Sequence, residues 1–129
     1  MTVVYKLENK GAEPCALRFG IELNLTLLAG NDPQRYYEWP DSKQVRLHER
    51  GEVRQAAWFA LVDEWQRFRV ILRLDHPGDV WYAPIETISQ SEDGFERTYQ
   101  GSAILASCCM DLMPGVPIGL EARLEITEL

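Results

Sequence analysis

Apolar and polar residues alternate with a period of two along most of this chain. That is the pattern of strands that bury one face and wet the other. Phe19, Ile21, Leu23, Leu25 and Leu27 alternate with Gly20, Glu22, Asn24 and Thr26. Phe68, Val70, Leu72 and Leu74 alternate with Arg67, Arg69, Ile71 and Arg73. Ile118, Leu120, Ala122, Leu124 and Ile126 alternate with Gly119, Glu121, Arg123, Glu125 and Thr127. The pattern predicts long strands over Leu17–Leu28, Arg67–Leu74, Val80–Ile88 and Ile118–Glu128. Shorter strands are expected over Val3–Glu8, Val45–His48, Phe95–Tyr99 and Ala103–Leu112. Turn signals separate them at Asn9-Lys10-Gly11, Gly30-Asn31-Asp32-Pro33, Trp39-Pro40-Asp41-Ser42, His76-Pro77-Gly78-Asp79 and Met113-Pro114-Gly115. Many strands at this spacing imply an all-β chain, an antiparallel β-sandwich or barrel forming a single domain over residues 1–129. Pro84, inside a strand, should mark an edge, a bulge or a bend. Glu52–Trp65 stays open: Val53, Ala56, Ala57, Ala60, Leu61 and Trp65 fit a helix face, while Trp58, Ala60 and Val62 fit a strand.

The run Pro84–Gly101 holds more hydrogen-bonding capacity than a hairpin needs. Asp93-Gly94 would suffice for the turn. Around it stand Glu86, Ser89, Gln90, Ser91 and Glu92, between apolar residues Ile85, Ile88, Phe95 and Tyr99 that could feed a core. The surplus points to a polar contact. In Pro-Ile-Glu-Thr, Ser-Gln-Ser-Glu, Gly-Phe-Glu and Tyr-Gln-Gly order, this run resembles the C-terminal β-sandwich region of the 4-α-glucanotransferases and α-amylases of glycoside hydrolase family 57. Phe19–Leu25 resembles the family's Glu-x-Asn strand, and Val62-Asp63 with Val70–Leu72 its Asp-then-strand segment. The resemblance reaches from about Val3 to Glu125. It implies a supersandwich of galactose mutarotase-like type and a setting in α-glucan metabolism. It also favours strand from about Ala57. The family's catalytic carboxylates belong to a separate barrel, and no such barrel is present in this sequence.

At 129 residues the chain is long enough for a core, and 46% hydrophobic with 26% charged residues is ordinary globular chemistry. A net charge of −7 disfavours nucleic acid, whose binding needs clustered cations on phosphates. Cys15, Cys108 and Cys109 form neither a C-x-x-C pair nor an even set, so neither a zinc site nor a disulfide framework is indicated. Adjacent strand cysteines point to opposite faces, so Cys108 and Cys109 should not bond each other. There is no apolar run of the roughly 18 residues that a membrane span needs. No basic segment followed by an apolar stretch opens the chain, so the expected compartment is cytoplasmic.

Candidate chemistry is sparse. Glu22 and Asn24 lie on one outward strand face, roughly 7 Å apart by strand rise, and could hold sugar hydroxyls or a neighbouring domain. Glu86 and Glu92 flank the polar run, but with 20 acidic residues a chance pair is common, and no catalytic carboxylate pair stands out. His48 and His76 do not stand at metal-ligand spacing, so no metal and no cofactor are expected. Tyr36, Tyr37 and Trp39 occupy a Pro-flanked stretch where burial of all three looks hard, which suits stacking on sugars or a domain contact. Arg67, Arg69 and Arg73 suit a salt-bridged sheet face opposite Glu121 and Glu125.

The reading is a non-catalytic accessory β-sandwich of an α-glucan-processing enzyme. Its partner would be α-glucan or a catalytic barrel domain, not nucleic acid or membrane. The contact residues would be Glu22, Asn24, Tyr36, Tyr37, Trp39, Glu86, Ser89, Gln90, Ser91 and Glu92. Two alternatives stand beside it. One is a small aldose epimerase-like enzyme, with His76 and Glu86 or Glu92 facing one sugar. The other is a protein-interaction module.

Overall fold

A computed structural model describes residues 1–92 and 94–129, with the Ser91 side chain also outside the description. The described residues form eight strands and no helix: β1 (Thr2–Leu7), β2 (Cys15–Leu25), β3 (Arg35–Glu38), β4 (Gln44–Arg46), β5 (Gly51–Asp63), β6 (Phe68–Ser91), β7 (Gly94–Leu112) and β8 (Ile118–Glu128). The ambiguous Glu52–Trp65 segment is strand, and it starts at Gly51, earlier than Ala57. Its two faces explain the mixed signal. Phe59 and Leu61 point into the main core, while Ala60 and Val62 are buried on the opposite face with Ile71, under Tyr36 and Trp58. A strand buried on both sides reads as a continuous apolar run, and periodicity cannot tell that from a helix.

The eight strands pair antiparallel, and β6 is the axis. Its first part, Phe68–Leu74, lies between β8 and the end of β5, and its continuation lies between β7 and the start of β5. One layer therefore runs β1-β8-β6-β5-β3-β4, while the other is built from β2, β7 and the second half of β6. Side chains from both meet in one core that includes Leu27, Tyr37, Trp39, Phe59, Leu72, Val80, Tyr82, Ile104 and Ala122. The result is a sandwich whose layers share the bent β5–β6 hairpin.

The bend corrects one expectation. His76-Pro77-Gly78-Asp79 is not a turn between strands but the middle of β6. Pairing with β8 stops at Leu74, and pairing with β7 begins at Asp79. Pro77, which has no N–H to give, stands in the gap where the ladder changes partner. β5 bulges opposite, between Val53 and Trp58, with Gln55 at φ 52°. The Asp79 carboxylate closes the bulge by accepting the Gln55 backbone N–H at 3.3 Å. At Gly78 a Cβ would come within 2.5 Å of the Ser107 carbonyl oxygen, so β6 and β7 meet at backbone distance where their pairing begins.

Beyond Tyr82 and Ser102 the β6–β7 hairpin leaves its neighbours behind. β5 pairs β6 no further than Tyr82, and β2 pairs β7 from Ser102 onward. Glu86–Ser91 and Gly94–Tyr99 thus form a two-stranded arm, with Ser91 opposite Gly94. Pro84 lies past the end of β5, and the adjacent bulge leaves Gln100 without an opposite residue. The polar run is therefore strand rather than loop. Its apolar residues do not feed the core: Ile88 is 63% exposed and Phe95 80% exposed, while Ile85 is partly exposed and only Tyr99 packs inward. The arm has no sheet across from it to bury them.

Tyr37 and Trp39 also differ from expectation, being 0% and 1% exposed. β3 alternates Tyr37 inward and Tyr36 outward, and Trp39 continues the inward set into rings of Phe59 and Tyr82 at 5.7 and 5.3 Å. A short central strand, not a loop, makes that burial possible. Tyr37 Oη and Trp39 Nε1 find no hydrogen-bond partner among the described residues. At the end of the inner face Arg35 bonds the buried Asp63 at 2.8 Å, while on the outer face Arg69 approaches Glu38 at 3.5 Å and Arg73 meets Glu125 at 3.3 Å. Cys15, Cys108 and Cys109 are free.

Candidate functional site

The arm overhangs the segment that follows β2. Together with Leu28–Asn31 and His48 it encloses an open cleft of about 410 Å³, lined from the arm by Glu86, Glu96, Arg97, Thr98 and Tyr99. Opposite residues on paired strands share a face, so Glu86 with Tyr99, Ile88 with Arg97 and Gln90 with Phe95 look the same way.

Each wall is fixed by local chemistry. His48 gives both its backbone N–H, at 2.9 Å, and its Nδ1, at 3.0 Å, to the Gly30 carbonyl. A carbonyl only accepts, so the proton is assigned to Nδ1, and Nε2 remains an acceptor in the neutral ring. Gly30 is pressed on the Tyr99 ring so closely that a Cβ would lie 2.6 Å from it. The Tyr99 hydroxyl is tied to Ser102 Oγ at 2.7 Å, and burial pushes its pKa up. Arg97 Nη1 stands 3.6 Å from Glu86 Oε2, an ion pair too long for a good hydrogen bond. Leu28, 75% exposed with φ 64°, makes the cleft's outer lip.

Of the residues expected to make contact, Glu86 enters this cleft and the others disperse. Ser89 and Gln90 sit farther out on the arm and are exposed, as is Glu92 at its tip. The Ser91 side chain and Asp93 lie outside the described residues. Glu22 and Asn24 do share a face, with Asn24 Nδ2 donating to Glu22 Oε1 at 3.3 Å. That face is the outside of the β2–β7–β6 layer, where Glu22 borders a shallow groove with Trp81, Ala83, Ala103 and Leu105. Strand alternation puts Glu86 on the other side of β6, so the Glu22 pair and the arm do not form one surface. Trp81, 38% exposed and faced by Arg18 at 5.2 Å, had no special signal in the pattern. Tyr37 and Trp39, both buried, present no surface to a ligand. Tyr36 is half-buried, and its hydroxyl donates to Glu64 at 2.9 Å.

The epimerase pair is not assembled. His76 and Glu86 are ten residues apart on one strand, roughly 30 Å by strand rise, and Glu92 is farther still. His76 instead pairs with Asp75 at 3.0 Å beside a small internal crevice lined by Phe19, Ala106, Cys108 and Leu120. Burial pushes the Cys108 thiol up, and the neighbouring Cys109 and Asp75 push it further, away from a reactive thiolate. The histidine that does stand near Glu86 is His48, which has no periodic or motif signal in the sequence. Neither does the packing of Gly30 on Tyr99, because it joins segments some 70 residues apart.

The family described as alpha-amylase/4-alpha-glucanotransferase, C-terminal, matches residues 1–116. The chain is 38% identical over 129 residues to alpha-amylase 1 of Dictyoglomus thermophilum, a similarity spanning 96% of this chain and 17% of that protein. The 4-alpha-glucanotransferase from Thermococcus litoralis superposes with a TM-score of 0.64 at 23% identity, over 99% of this chain and 16% of that one. A putative aldose 1-epimerase from Escherichia coli K12 superposes with a TM-score of 0.61 at 11% identity, over 99% of this chain and 56% of that one. At such identities the two structures show the shared sandwich fold alone.

Proposed function

The chain belongs to the family of C-terminal regions of alpha-amylases and 4-alpha-glucanotransferases, and from that premise we propose that it is a non-catalytic sandwich that docks its arm on the catalytic part of an α-glucan-processing enzyme. The observation that carries the docking is the exposure of Phe95 and Ile88, 80% and 63%, on one face of a two-stranded arm. An isolated pair of strands is marginal in water, and covering a Phe stabilises by about 1.5–3 kcal/mol. The matched region is 17% of alpha-amylase 1, so a relative of that kind has ample chain to supply the covering surface. The catalytic barrel implied by the family resemblance is the partner that fits.

The test mixes the 129-residue chain with a separately expressed catalytic part of a family alpha-amylase. Phe95→Asp should weaken association by more than tenfold while leaving the melting temperature nearly unchanged, because an exposed side chain contributes little to folding. Association that survives Phe95→Asp together with Ile88→Asp would show that the arm is not the docking element.

A further inference from the structure

We infer that the cleft between the arm and the Leu28–Asn31 segment is a binding site for a short stretch of neutral α-glucan, held by Glu86, Arg97, His48 and the Tyr99 ring. This rests on the reading above for the linkage of the sugar. The site itself rests on geometry.

The cleft has the volume of a ligand pocket, about 410 Å³ against a usual range of roughly 300–1,000 Å³. It is open to solvent rather than closed, which suits a segment of a longer chain better than a free monosaccharide. Its chemistry matches a polyol, in which every hydroxyl both donates and accepts. On the arm face that looks into the cleft Glu86 supplies acceptors and Arg97 supplies donors, and in the neutral ring His48 keeps Nε2 as an acceptor. The Glu86–Arg97 separation of 3.6 Å is loose, so a hydroxyl can bond to both without breaking a tight pair. Leu28, Ala29 and the Tyr99 ring add apolar surface for the C–H face of a sugar ring.

Charge selects against the obvious competitor. The Arg97 guanidinium on the cleft face is offset by Glu86 at 3.6 Å, in a chain whose net charge is −7. A phosphorylated or acidic ligand would enter against that field. The walls are also set before a ligand arrives. His48 is clamped twice on the Gly30 carbonyl, Gly30 is seated on Tyr99, and Tyr99 is tied to Ser102. Little ordering is left to oppose binding.

The experiment is a titration of the isotope-labelled 129-residue chain with maltotetraose, followed by amide chemical shifts, with cellotetraose as comparison. Saturable shifts are expected at Gly30, His48, Arg97, Thr98 and Tyr99. Glu86→Gln and His48→Ala should each weaken binding at least fivefold with unchanged melting temperature. Should one of them unfold, Arg97→Met serves in its place. Four results would overturn the assignment: no saturable shifts, shifts centred on Trp81 and Glu22, binding indifferent to these variants, or equal binding of cellotetraose. Failure of arm docking leaves the maltotetraose shifts untouched, so the two readings fall separately.

Discussion

Tyr36 shows how one side chain links burial to a measurable pH response. Burial, then its hydrogen bond to Glu64 and the charges of Glu64 and Glu38, raises its pKa from 10.0 to about 12. The neutral phenol is therefore favoured in the folded state. The stability this gives is whole below pH 10.0, the unfolded value, and is lost as pH rises through about 12. Tyr36→Phe has no proton to lose, so its melting temperature should fall less steeply than the parent's over that alkaline window. Identical slopes would show that Tyr36 does not titrate as its surroundings require. Its neighbour Tyr37 differs by one position on the strand, yet it lies in the core, its hydroxyl without a hydrogen-bond partner among the described residues. Both are tyrosines in the same stretch of sequence, and only the inward and outward alternation of a strand flanked by β4 and β5 separates their chemistry.

The element that decides the architecture is β6, and its weak point is Gly78. The carbonyl of Ser107 occupies the space a Cβ would need, and it belongs to backbone that cannot swing aside. Gly78→Ala should cost about 1–3 kcal/mol, the usual range for overpacking, read as a lower midpoint in urea unfolding. An unchanged midpoint would mean that β6 and β7 can part at the bend at no cost. The arm is the contrasting element. Its backbone pairs along the ladder, while Ile88 and Phe95 face solvent rather than the sandwich. Ile88 and Phe95 read as core residues in the sequence because an apolar residue on a strand is a core residue in most contexts. The missing information was that β2 and β5 both stop short of them.

At the scale of the whole molecule, the chain is a scaffold carrying two surfaces, the arm with its cleft and the Trp81 face. The purified chain alone should not turn over maltooligosaccharides, since glycoside hydrolysis uses two facing carboxylates and Glu86 faces Arg97 at 3.6 Å instead. Turnover that is lost in Glu86→Gln would reverse that conclusion. The period-two pattern by itself determined the all-β class, the antiparallel pairing and most strand positions, because burying one face of a strand forces alternation on every residue. The Pro84–Gly101 run by itself pointed to the family that the comparisons then showed. Other features were decided only by tertiary structure. Pro77-Gly78 became the bend of a continuous strand because β6 changes partners there, and Tyr37 and Trp39 became core because β3 is paired on both sides. His48, Gly30, Glu86 and Tyr99 became one cleft because the β6–β7 hairpin outruns its neighbours and folds over the end of β2. Alternation is a local constraint and is written into each segment. Where a ladder ends, and what then lies across from it, depends on segments far apart in the chain and leaves no local mark.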